Sequence, residues 1–70
     1  MYKITARSLG LKSDFVAVDE TKEAVVAKMF QWLEVNHPEY IGDNSIQRLA
    51  EIDAILTKHI VIAEDYFGKQ

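Results

Sequence analysis

The sequence has no cysteine, one proline and three glycines in 70 residues. Without cysteine there is no disulfide, no thiol nucleophile and no thiolate metal ligand. That is the composition of a chain that folds in a reducing compartment, and the cytoplasm is the expected location. Long apolar runs are also missing. The stretch Ile60–Ala63 is among the longest, far below the ~20 residues of a membrane-spanning helix. The opening Met1-Tyr2-Lys3-Ile4-Thr5 has no apolar core of the kind a signal peptide carries. Basic clusters are absent too. Lys and Arg number 8 against 11 Asp and Glu, for a net charge of -3, which argues against nucleic acid as a partner.

What is present is an apolar fraction of 49%, which with the small net charge argues against a disordered chain. The length predicts one small domain spanning residues 1–70. Burial in so short a chain only just offsets conformational entropy, and oligomerisation is a common supplement.

Tyr2, Ile4 and Ala6 alternate with Lys3, Thr5 and Arg7, the period of a half-buried strand. Asp14-Phe15-Val16-Ala17-Val18-Asp19 is a second strand-like run. Phe15 and Ala17 share one of its faces, Val16 and Val18 the other. Both faces are apolar, which predicts cover on both sides. Residues 2–7 and 14–19 are therefore expected to form an antiparallel hairpin, with Gly10 free to take a positive φ between them.

Asp19 or Thr21 can cap a helix over residues 22–36. Val25, Val26, Met29, Phe30, Trp32 and Leu33 lie on one broad arc of it; Lys28, Gln31 and Glu34 lie opposite. The arc is wider than a hairpin alone would cover. Pro38 ends this helix, and residues 37–43 read as a connecting loop. Asn44 and Gln47 then have capping-box spacing. Ile46, Leu49, Ile52, Leu56 and Ile60 repeat at helical intervals, with Asp53 interrupting the arc. The pattern favours one continuous helix running on to Phe67 and stopped by Gly68. The alternative is a helix ending near Lys58-His59, followed by a short third strand near 60–63. The expected fold class is α+β: an antiparallel hairpin with two helices packed on it.

No catalytic constellation is visible. The glycines are isolated from any phosphate-loop pattern, and Ser8 and Ser13 read as turn residues. His37 and His59 are the only imidazoles. As helix-terminal residues they need no catalytic or ligating role. No metal and no cofactor are expected; if a metal bound, its ligands would come from His37, Glu39, Asp14 and His59. Met29 and Phe30 read first as core. Should the arc be exposed, Trp32 and Met29 together with Val16 and Val18 would form an interaction surface.

Residues Ala6-Arg7-Ser8-Leu9-Gly10-Leu11-Lys12-Ser13-Asp14-Phe15 resemble the opening of a family of very small prokaryotic proteins. That family is labelled predicted metal-binding and is known as domain of unknown function 1059. Thr21-Lys22-Glu23 and His37 fall in register with the same pattern, which covers residues 3–58. The resemblance implies four ligand positions. Ala6 and Ser13 stand where the family has cysteines, and Trp32 where it has a histidine; His37 alone retains a ligand type. The resemblance thus implies a member that keeps the fold without most of the metal site. The function expected from all this is a non-catalytic binding or interaction module, self-associating or bound to a protein partner. Weak metal binding through His37 and nearby carboxylates, or service as an accessory subunit of an enzyme, are the alternatives.

Overall fold

The computed structural model describes residues 1–63. Its elements are β1 (Tyr2–Thr5), a 3-10 turn (Arg7–Leu9), β2 (Val16–Asp19), α1 (Lys22–Asn36), α2 (Pro38–Ile41), α3 (Ile46–Lys58) and β3 (Val61–Ile62). The α+β expectation holds: an antiparallel sheet of order β2-β1-β3 carries the helices. Among the described residues no helix is long and apolar enough to cross a membrane.

Strand β1 sits at the centre because it pairs on both edges. Lys3 faces Val18 on one side and Val61 on the other. The hairpin connection closes through backbone bonds. Ala6 donates to the Phe15 carbonyl at 2.9 Å, and Gly10 donates to Arg7 at 3.0 Å. Gly10 has φ 86, where a side chain would be strained. Arg7 bridges to Asp14 at 2.8 Å, but both side chains are exposed, so the pair adds little stability.

The sequence bounds of α1 match the structure residue for residue. Thr21 is its cap, with its hydroxyl accepting from the Ala24 N–H at 3.1 Å. Thr21→Ala leaves that N–H without its partner and should cost about 1 kcal/mol. Urea unfolding measures this; an unchanged midpoint would mean that the cap contributes nothing.

The broad arc of α1 divides among three neighbours. Val25, Met29 and Leu33 are wholly buried, in one core with Ile4, Ala17, Ile41, Ile52 and Leu56. Val26 and Phe30 turn toward α3, and Trp32 turns toward Phe15. The width of the arc is thus accounted for within one chain. Placing Met29 on an interaction surface is incorrect, because α1 meets both the sheet and α3 along that seam. Strand β2 also departs from expectation. Ala17 is buried and Phe15 half-buried, while Val16 on the opposite face is 42% exposed. One face of the strand is covered, not two.

The expected loop at 37–43 contains α2. Pro38 occupies its first turn, where a missing N–H costs nothing and the fixed φ is already helical. The proline that ends α1 therefore also starts α2. Arg48 secures the far end: its Nε donates to the Ile41 carbonyl at 2.9 Å and its Nη2 to the Tyr40 carbonyl at 2.7 Å. These are carbonyls a helix end otherwise leaves unmet. The cap of α3 is Ser45, one residue beyond Asn44. Its hydroxyl accepts from Arg48 N–H at 3.1 Å, while Asp43 accepts from Ser45 N–H at 3.0 Å.

The continuous helix is likewise corrected. Helix α3 ends at Lys58, and β3 follows, as the alternative foresaw. The β-branched run Ile60-Val61-Ile62 suits a strand, and the otherwise bare edge of β1 supplies its partner. The helical continuation expected to Phe67, with Gly68 as its stop, lies outside the described residues from position 64 onward.

Candidate interaction surfaces

Three surface features bring chemistry-bearing residues together. The first is an aromatic stack. Trp32 reaches back from the last turns of α1 and lies parallel to Phe15, with ring centroids 4.6 Å apart and planes 2° from parallel. His37, just past the helix end, sits 5.1 Å from Trp32 at a 50° tilt. Its Nδ1 donates to the Glu39 carboxylate at 3.0 Å. The backbone N–H of Glu39, and then His37, hold the Glu39 carboxyl below its ordinary range. The Phe15 N–H bonds the Ser13 hydroxyl at 3.2 Å, and its carbonyl accepts from Ala6. The four positions Ala6, Ser13, Trp32 and His37 thus each touch Phe15 or Trp32.

The other metal-ligand candidates are elsewhere engaged. Asp14 takes both its contacts from Arg7. His59 lies at the end of α3, where its Nδ1 donates to the Ile55 carbonyl at 2.8 Å. Among the described residues no three His, Asp or Glu side chains gather as a metal site.

The second feature is the outer edge of β2. Antiparallel strands alternate between residues that exchange backbone bonds and residues that do not. The Ala6–Phe15 bond fixes the parity. Ala17 bonds inward to Ile4, so Val16 and Val18 point their N–H and C=O groups away from β1. Among the described residues only the Val18 carbonyl meets a side chain: Lys28 Nζ donates to it at 2.7 Å. The same Lys28 pairs with Asp19 at 3.2 Å. The backbone N–H of Glu20 and then Lys28 keep the Asp19 carboxyl below its usual range. A lysine laid against a strand edge is a common guard against unwanted pairing. Val16, Val18 and Val61 share the uncovered sheet face with Lys3 and Thr5.

The third is a groove of about 510 Å³ between α1 and α3. Val26, Phe30, Leu49 and Leu56 line it, with Glu23 and Asp53 among its polar members. Asp53 is exposed, as expected of a carboxylate at the rim of a buried face. Lys28 and Leu49 escaped the sequence reading. Lys28 looked like any solvated residue, and its role depends on which way the β2 edge faces. Leu49 belonged to the expected core arc, and only the gap beside Phe30 makes it a groove residue.

No family model, curated protein or solved structure matches this chain.

Proposed function

We propose that this chain is a non-catalytic interaction module that pairs with a second copy of itself through the outer edge of β2. The observation that carries this reading is that edge. Val16 and Val18 aim their backbone groups outward beside an uncovered apolar face. An antiparallel pair centred on Ala17 sets each Val16 opposite Val18 of the second copy. Each outward N–H then finds a carbonyl, and the valines form cross-strand pairs on one face. The arrangement is two-fold and self-complementary, as most homodimers are. Lys28 must release the Val18 carbonyl, while its bond to Asp19 can persist.

The test is sedimentation over a concentration series. The wild-type mass should rise with concentration toward a dimer. Val16→Pro removes an outward N–H that the monomer does not use, a change tolerated at a strand edge, and should hold the protein monomeric. Lys28→Ala frees the carbonyl and should strengthen association. Should the proline variant misfold, Val18→Lys puts a charge opposite Val16 of the second copy in place of an apolar cross-strand pair and should give the same loss. A wild type and Lys28→Ala protein that both stay monomeric to high concentration would overturn the reading.

The resemblance to the predicted metal-binding family belongs to the same proposal. In this reading the chain is a member in which Trp32, stacked on Phe15, takes the place of one of the lost ligands. The 3.0 Å contact of His37 with Glu39 supports the second reading, weak metal binding there. Two ligands fall short of the roughly four of a closed zinc site.

A further inference from the structure

We propose that the groove between α1 and α3 is a docking site for an amphipathic helix that carries a basic residue beside its apolar stripe. The site is distinct from the β2 edge. At about 100° per residue, Lys28 lies roughly 150° round α1 from the centre of Glu23, Val26, Ala27 and Phe30. The two surfaces can therefore be occupied independently.

The shape argues for a helix. Val26 and Phe30 stand one turn apart on α1; Leu49 and Leu56 stand two turns apart on α3. Val26, Phe30 and Leu49 supply the accessible apolar surface, with the wholly buried Leu56 beneath them, and side chains at i, i+3, i+4 and i+7 of a third helix can settle there. The volume of about 510 Å³ is room for a few such side chains.

The charge argues for the sign. Lys22 and Thr57 line both this groove and the adjoining hollow beside Tyr2, Ile60, Val61 and Ile62. One end of the groove is thereby fixed near the start of α1 and the end of α3. Glu23 belongs to that end, Asp53 stands one turn inward, and Phe30 with Leu49 forms the apolar end. The cation in this region is partly engaged, because Lys22 Nζ sits 5.6 Å from the Tyr2 ring centroid. Neither Glu23 nor Asp53 has a salt-bridge partner among the described residues. An apolar trough with two carboxylates that no described cation pairs, toward one end, complements an apolar stripe flanked by lysine or arginine.

A charge swap tests this. The probe is a fluorescein-labelled helical peptide of about 14 residues, built from leucine at i, i+3, i+4 and i+7 with lysine between. Its counterpart has glutamate in place of each lysine. Fluorescence anisotropy reads binding to the full chain. The lysine peptide should bind the wild type saturably, with one site per chain. The variant Glu23→Lys with Asp53→Lys, both at exposed positions, should lose about tenfold in affinity for it. That variant should in turn prefer the glutamate peptide, which the wild type should reject. Val16→Pro should bind the lysine peptide as the wild type does, so failure at the β2 edge would leave this result standing. Unsaturable binding, or an affinity that does not change when the two carboxylates are reversed, would overturn the proposal. Should the double variant fail to fold, Asp53→Asn alone should still weaken the lysine peptide and raise the affinity of the glutamate peptide. No preference between peptides in that variant relative to wild type would be equally decisive against it.

Discussion

Met29→Ala should destabilise the protein by about 2–5 kcal/mol, the range for truncating a buried methionine or leucine. Met29 is 0% exposed and sits where the sheet, α1 and α3 share one core. Truncation removes its contacts and leaves a gap that the rigid neighbours fill only in part. Against a total of about 5–15 kcal/mol for a typical domain, that is a large share. The urea midpoint should fall steeply, and Val16→Ala, at a 42% exposed position, should move it far less. A small effect at Met29 with a large one at Val16 would reverse the assignment of core and surface. The same pair of variants separates folding from association, since only Val16 belongs to the proposed dimer edge.

The triple variant Ala6→Cys, Ser13→Cys and Trp32→His should bind zinc tightly and fold with it. Each changed position touches Phe15 or Trp32, and His37 completes the set. Loss of the half-buried Trp32 from its stack should cost less than the roughly 3–5 kcal/mol of a fully buried tryptophan, without metal. Structural zinc contributes apparent binding energies of roughly 10–16 kcal/mol in small domains, which more than offsets that loss. The apo variant should therefore be weakly folded, and zinc should raise its melting temperature sharply. In the unmodified protein a chelator should leave the melting temperature where it is. A well-folded triple variant indifferent to zinc would show that the four side chains do not converge on a common point, and would remove the family reading. Tight zinc binding by the unmodified chain would redirect attention to His37 and Glu39.

The parts of this fold legible in the sequence are those governed by neighbours along the chain. Alternation over Tyr2–Arg7 and the threonine before Lys22 need no tertiary information, and the hairpin and α1 follow from them. Helix α2 was hidden because its far end is held by Arg48, seven and eight positions downstream of the carbonyls it binds. Strand β3 stood only as the alternative because Ile60-Val61-Ile62 fits either a helix or a strand, and β1 decides between them. The surfaces were harder still. Hydropathy could not divide the α1 arc among sheet, α3 and Phe15. Nor could it tell that Val16 is exposed and Val18 only half-buried while Ala17 between them is buried.

The position of β1 has a consequence for how the molecule is made. Its bond partners on β2 lie about fifteen residues away, but Val61 lies nearly sixty residues from Lys3. Closing the longer loop costs about 1.2 kcal/mol more entropy, at roughly 0.6 per doubling. The short-range hairpin can therefore close before β3 docks against β1. Until it does, the central strand presents one bare side, and a short hydrophobic β-strand from another unfolded chain can take the place reserved for Val61-Ile62. Refolding at high protein concentration thus favours intermolecular mispairing at that edge over refolding in dilute solution.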